Sequence, residues 1–340
     1  MTAPRVAVTG ASGFCGSAVA RAAATAGADV ICLGRRPGPV GEHRFWDATR
    51  AAPDLTGVDV VLHLAAAVGD PPPGQSAVFH AVNVDGTARL LTAAGDRPLV
   101  WVSSASVYTP GAGPLREDQP LGGLTAYGKT KAAGEELARE AGAVILRPRA
   151  VYGDGDPHLL PRLRRAVRGG RVLLPGPDVQ LSLTAVENLA DACLAAAGLP
   201  VEEPTGEGPT GAQLTDEKPT SARSTSAGST SARPAGGWPA GGWPAGAYNI
   251  ADAAPYSRDA VVAAVCGVPV RHVPIPAARA VAAVGTAVSR LTRRSPALSR
   301  YALEQLTVPV VLDITRARAQ DWVPQRTFAD YLAGRSGSIR

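Results

Sequence analysis

Tyr127 and Lys131 stand four residues apart in the run Ala126-Tyr-Gly-Lys-Thr-Lys131. On a helix, positions i and i+4 share a face. A phenol and an ammonium held there can move a proton together. The cation favours the phenolate and lowers the phenol from its ordinary pKa of about 10. The spacing by itself equally fits an i,i+4 pair between Lys131 and Glu135. Composition adds weight to the chemical reading. Lys129, Lys131 and Lys218 are the only lysines among 34 basic residues. The chain uses arginine where a general cation suffices, so a lysine marks a place needing a compact point charge.

Such a pair needs something to act on and elements to hold it. The chain opens Arg5-Val-Ala-Val-Thr-Gly-Ala-Ser-Gly-Phe-Cys-Gly16 and continues in an alanine-rich stretch to Ala26. Val6 to Val8 reads as a short buried strand and Ser17 to Ala26 as a helix. Between them Gly10, Gly13 and Gly16 permit a tight turn and close backbone approach to a pyrophosphate. Ser12, Phe14 and Cys15 lie inside the turn. The helix N-terminus adds free N–H groups and a positive dipole end. Strand before and helix after is the context this glycine pattern requires.

The next strand, Asp29 to Leu33, ends in Gly34-Arg35-Arg36. An acid near this point would take ribose hydroxyls, whereas arginine accommodates a 2′-phosphate. Arg35 and Arg36 therefore indicate NADP(H), with NAD(H) as the alternative. A third strand, His43 to Trp46, leads to Asp47 and Ala48, with Asp47 placed to meet the adenine amine. A fourth, Val58 to Leu64, runs into Ala65-Ala66-Ala67, small enough to let backbone approach a cofactor.

Together these pieces resemble the extended short-chain dehydrogenase/reductase family, also called the NAD(P)-dependent epimerase/dehydratase family. The matching runs are Thr9–Gly16, His63–Ala66, Asn83–Thr87, Val102–Tyr108, Tyr127 with Lys131, Leu146–Pro148 with Val151–Gly153, Val186–Ala190, Tyr248–Ile250 and Trp322–Pro324. The resemblance implies an α/β fold. A doubly wound parallel Rossmann sheet would occupy residues 1–150, completed by segments around 180–198 and 247–252. A smaller substrate-binding part would fill most of 151–340. It implies Ser104, Tyr127 and Lys131 as the catalytic triad. Asn83 and Val102 would contact the cofactor, Pro148 and Val151 would pack around the nicotinamide amide, and Ser106, two residues past Ser104 on the same strand face, would line the substrate pocket. The family also implies a homodimer formed through the Tyr127 helix and its neighbour around Gly74–Ala94.

The family supports several chemistries on one fold. Nucleotide-sugar members carry an arginine five residues before the valine of the Val186-Glu-Asn-Leu-Ala-like run, where it clamps a diphosphate. Here that place holds Leu181, although nearby Arg171 could substitute. Dehydratases follow their catalytic hydroxyl with Asp-Glu, and this chain has Ala105-Ser106. Val186-Glu-Asn-Leu-Ala resembles the 3β-hydroxysteroid and sterol dehydrogenase branch. The reading is an NADP(H)-dependent oxidoreductase, a ketoreductase-like enzyme acting on a carbonyl or alcohol of a small, largely apolar metabolite. The alternatives are a nucleotide-sugar epimerase or dehydratase and a non-catalytic NAD(P)-binding regulator.

The remaining features bound the answer. No apolar run reaches about 18 residues, so no membrane span is expected, and no signal peptide is visible. Cys15, Cys32, Cys193 and Cys266 show no metal-ligand spacing and read as buried apolar groups in a reducing cytoplasm. A net charge of +5 is dispersed rather than concentrated as a nucleic-acid footprint. His63 reads as structural. The alanine- and arginine-heavy composition fits a bacterial origin and specialised metabolism. Residues 200–246 are rich in Gly, Ser, Pro and Thr with a five-residue period. They read as a disordered insertion in which Trp238 and Trp243 could form a lid or a partner contact. Beyond it, helices are expected over Ser257–Cys266 and Pro296–Leu306, with an alanine- and valine-rich stretch of few charges over Ala277–Leu291 between them.

Overall fold

The computed structural model describes residues 2–69, 76–109, 111, 113–201, 241–280, 283 and 307–337. In chain order the elements are β1 (Arg5–Thr9), α1 (Phe14–Thr25), β2 (Asp29–Gly34), β3 (Glu42–Phe45), β4 (Val60–His63), α2 (Ser76–His80) and a π-helical turn (Ala81–Asp85). Next come α3 (Gly86–Ala94), β5 (Leu99–Val102), a 3₁₀ turn (Ala105–Val107), α4 (Ala126–Glu140), β6 (Val144–Pro148), β7 (Val151–Tyr152) and α5 (Leu159–Arg165). They are followed by β8 (Val172–Pro175), β9 (Gln180–Leu181), β10 (Thr184–Ala185), α6 (Val186–Ala196), β11 (Gly246–Ile250), β12 (Tyr256–Ser257), α7 (Arg258–Cys266) and β13 (Val270–Val273). The last described helices are α8 (Thr315–Arg318) and α9 (Phe328–Gly337).

Seven strands form one parallel sheet in the order β11-β6-β5-β4-β1-β2-β3. The strands read as continuous apolar runs because helices cover both faces: all four residues of β5, Leu99-Val-Trp-Val102, are buried. One face packs on α1 and α6 through Val8, Val19, Leu62, Leu146 and Leu189. The other packs through Ile31, Leu90, Trp101, Ala138 and Ile145. The chain reverses direction across the sheet between β1 and β4. Open α/β sheets bind ligands in the crevice beyond the strand ends at such a point.

Several expectations change in detail. Helix α1 begins at Phe14, three residues before the expected Ser17, because Gly13 already serves as its N-cap. The strand before Ser104 stops at Val102, and Ala105–Val107 form a 3₁₀ turn. Ser106 therefore does not share a strand face with Ser104; the turn carries both out at the sheet's edge. Trp243 is no lid. It is buried, donates its backbone N–H to Ala196 O at 3.1 Å, and packs on Tyr248 at 4.8 Å between ring centroids. The described chain resumes at residue 241, inside the expected insertion. Trp238, most of the 200–246 insertion, most of Ala277–Leu291 and all of Pro296–Leu306 lie outside the described residues.

Candidate active site

The glycine turn is built for backbone contact. Gly10 has a φ of +68°, and a Cβ there would come within 2.9 Å of the Ala65 backbone. A Cβ on Gly16 would overlap the Gly10 carbonyl. Only hydrogen fits at either place, so β1, the turn and α1 close onto the loop after β4. The first turn of α1 carries no acidic residue, and Gly13 offers no side-chain cap. Its N–H groups stay available to an anion. Cys15 does not repel one, since burial first, then Asp156, push its thiol up to about 12. These features fit a dinucleotide diphosphate at Ser12, Gly13, Phe14 and Cys15.

Thr9 fixes the far side of this cradle. Its Oγ1 accepts the N–H groups of Leu64 and Ala65, each at 3.0 Å. Its one hydroxyl proton therefore goes to His63 Nδ1 at 2.7 Å. Nδ1 is then an acceptor and Nε2 carries the ring proton. His63 is buried between Trp46 and Trp101, and burial first, then Lys131, hold its pKa down to about 3. It is a neutral structural strut, as expected from sequence. Sequence reading missed Thr9; the signal was a hydroxyl at the last residue of an otherwise apolar β1.

At the end of β2, Arg35 and Arg36 are exposed. Asp47 is half-buried, and its carboxyl lies below the usual range. The hydroxyl and N–H of Thr49 lower it most, with Arg35 contributing. The structure thus brings Arg35 near Asp47, with Ala48 beside it packing against Gly86. Ala66 and Leu64 are half-buried in the loop after β4.

Asn83 sits inside the π-helical turn, a feature common at functional sites. It accepts from Ala67 N at 2.8 Å and donates to Ala67 O and to Thr130 Oγ1, both at 3.0 Å. It ties the loop after β4 to α4. Helix α4 starts at a Thr125 cap whose Oγ1 accepts from Gly128 N at 2.9 Å. Gly128 and Gly134 let α4 lie directly on its neighbours. A Cβ on Gly128 would overlap the Ser106 carbonyl, and one on Gly134 the Asn83 carbonyl.

This close packing brings Lys131 to the end of β5. Its side chain is 2 % exposed, its Nζ donates to Val102 O at 2.7 Å, and it stands 3.7 Å from the centre of the Trp101 ring. Burial pulls the ammonium down to about 7, against the opposing pull of Glu135. Lys131 does not simply pair with Glu135: that carboxylate accepts from Ser103 Oγ and pairs with Arg147, whose Nε lies 3.0 Å away. Two residues past Val102, the Ser104 Oγ accepts from Ser106 N at 3.1 Å. Ser104, Ser106 and Tyr127 are all half-buried. Pro148 ends β6, and Ala150, with φ +45°, turns the chain so that Val151 enters β7 beside Thr184. The predicted catalytic and nicotinamide-end residues thus come from the ends of β5 and β6 of the central sheet, the π-helical turn, α4, and β7, which pairs with β10 in a small sheet of its own.

Residues 6–208 match the model of the NAD dependent epimerase/dehydratase family, and the chain belongs to that family. Its fold is the extended short-chain dehydrogenase/reductase type. It is 31 % identical over 209 residues to a 2-alkyl-3-oxoalkanoate reductase of Stenotrophomonas maltophilia (55 % of this chain, 63 % of that protein). It is 34 % identical over 214 residues to a dTDP-4-dehydrorhamnose reductase of Streptomyces griseus (60 % and 69 %). It is 32 % identical over 162 residues to a decarboxylating sterol-4-alpha-carboxylate 3-dehydrogenase of Candida albicans (43 % and 45 %). The matches thus span between under half and about two thirds of these relatives' lengths. Among solved structures, a short-chain dehydrogenase/reductase superfamily protein from Agrobacterium tumefaciens with bound NAD superposes with a TM-score of 0.66 at 22 % identity, covering 98 % of each chain. No helix among the described residues is long and apolar enough to cross a membrane.

Proposed function

We propose that the chain is an NADP(H)-dependent oxidoreductase that interconverts a carbonyl and an alcohol on a small, largely apolar metabolite. One observation carries the reading. Lys131 is buried on the same helix as Tyr127, with its ammonium against the strand-end carbonyl two residues before Ser104. A buried cation costs stability, and a perturbed ionisable group in a site marks a functional candidate.

The residues fit a nicotinamide dinucleotide. The turn from Gly10 to Gly16 would hold the diphosphate, Asp47 and Ala48 the adenine side, and Arg35 and Arg36 a 2′-phosphate. Leu64, Ala65, Ala66, Asn83, Val102, Pro148 and Val151 would surround the nicotinamide end. When bound, the dinucleotide supplies or takes the hydride. Ser104 and Tyr127 hydrogen-bond the substrate oxygen. In reduction Tyr127 gives its proton to that oxygen as the C–H bond forms; in oxidation it takes the proton back. Lys131 keeps the phenolate form accessible. Proton transfer of this kind is worth about 10²–10⁴-fold.

The substrate class rests on two supports. Leu181, half-buried in β9, stands where sugar-nucleotide relatives carry a diphosphate arginine, while Arg171 is exposed in a turn of its own. Two of the relatives are named for a 3-oxoalkanoate and a sterol carboxylate. The similarity to a dTDP-4-dehydrorhamnose reductase favours a second reading, a nucleotide sugar handled by the same triad. Purified protein supplied with NADPH or NADH and either 3-oxodecanoate or a 3-oxosteroid, and in a parallel assay with NAD+ or NADP+ and UDP-glucose, separates them. Oxidation of NADPH by the first two supports the main reading; conversion of UDP-glucose alone overturns it. Tyr127→Phe should lower turnover by at least ~10² while leaving cofactor binding in place. Unchanged turnover would remove Tyr127 from the mechanism. We also expect a homodimer through α3 and α4, which sedimentation would report as twice the chain mass.

A further inference from the structure

A buried polar chain runs behind the Ser104–Tyr127–Lys131 edge. Glu135, one turn beyond Lys131 on α4, is fully buried. One of its oxygens accepts from Ser103 Oγ, the residue preceding Ser104. The other accepts from Arg147 of β6. Arg147 Nη1 also donates to Tyr108 Oη at 2.7 Å and to Glu117 O at 3.1 Å. Tyr108 in turn donates to Asn249 Oδ1 of β11 at 2.7 Å. Every member is satisfied, so the chain is a rigid unit.

Lys131 stands at the open end of this chain. The Trp101 ring and the Val102 carbonyl face it from β5, neutral His63 from β4, and Glu135 from its own helix. Arg147 lies beyond Glu135 and neutralises part of its charge. Glu135 is therefore the one negative group among the described residues that supports the buried ammonium.

We propose that Glu135 is a positioning residue for the reaction: it keeps Lys131 cationic, and through Ser103 and Arg147 it holds α4 in register with the strand ends that carry Ser104 and Pro148. The inference rests on the triad reading for its catalytic meaning. Its electrostatic core stands on two buried, oppositely charged groups one helical turn apart on α4.

The scarcity of lysine gives a direct test. With lysine labelled at the ε-carbon, the full-length chain shows three lysine signals, and Lys131→Arg identifies the one that matters. In Glu135→Gln the titration midpoint of Lys131 should move down by about one pH unit or more. Glu135→Asp, which keeps the charge, should restore most of the shift. If Glu135→Gln does not fold, the double variant Glu135→Gln/Arg147→Met removes the buried pair together and leaves no orphaned charge; its midpoint should still fall by about half a unit. An unmoved Lys131 midpoint in either folded variant overturns the proposal. The triad reading is judged separately by Tyr127→Phe: retained turnover there sinks that reading while the lysine titration still decides this one.

Discussion

Replacing Lys131 with methionine should make the protein more stable and inactive. The side chain sits 2 % exposed, and its pKa falls from 10.5 to about 7. That difference, about 3.5 units at 1.36 kcal/mol each, puts the burial cost of the charge at about 5 kcal/mol as a ceiling. Methionine keeps the apolar stem but leaves Val102 O without its donor, a loss of about 2 kcal/mol. It also forfeits the contact with the Trp101 ring, about 1 kcal/mol. The net gain is about 2 kcal/mol at pH 7. The sign fixes the pH window. The folded-state pKa is depressed, so between pH 10.5 and 7 the unfolded chain binds the proton that the folded chain refuses. The penalty is absent above pH 10.5, grows as pH falls, and is complete near pH 7. Urea unfolding of wild type and Lys131→Met at pH 7 and at pH 10.5 measures it. The variant's advantage should appear at pH 7 and vanish or reverse at pH 10.5. A variant less stable at pH 7, or an advantage that does not change with pH, would refute the picture of a strained cation.

Three further outcomes follow from the same geometry. Gly16→Ala pushes a Cβ into the Gly10 carbonyl, backbone against backbone; thermal unfolding should report a loss of about 1–3 kcal/mol, and NADPH titration should report at least tenfold weaker binding. Arg35→Ala with Arg36→Ala should weaken NADPH far more than NADH in fluorescence titrations, because only the former carries the 2′-phosphate; equal losses would contradict the phosphate assignment. His63 is held neutral with a pKa of about 3, so the unfolded chain alone takes up its proton below about pH 6.5. Stability present above pH 6.5 should decline as pH falls toward 3, by about 2 kcal/mol between pH 6.5 and 5. In His63→Asn, whose amide oxygen can still accept from Thr9, that slope should flatten.

The sequence by itself determined the parallel sheet, the glycine turn and the four-residue step from Tyr127 to Lys131. These are local matters: apolar runs bounded by glycines, a helix period, a turn that only hydrogen fits. Val6 to Val8 and Asp29 to Leu33 read as strands and lie in β1 and β2, and Gly10, Gly13 and Gly16 read as a turn between strand and helix, where the structure has them. Tertiary structure decided which partner each buried polar group would meet. Glu135 looked from sequence like the partner of Lys131, its neighbour at i+4. Instead β6 delivers Arg147 and β5 delivers Ser103, and a guanidinium fork meets a carboxylate better than a lone ammonium does. Lys131 is thereby left to the Val102 carbonyl. Trp243 likewise reads as loop from its glycine-rich neighbours, but β11 is an added parallel strand and needs an apolar anchor, found against Tyr248 and Trp322. Residues far apart in the chain meet only when the sheet closes, and a buried charge takes whichever partner the closed sheet brings within hydrogen-bond reach.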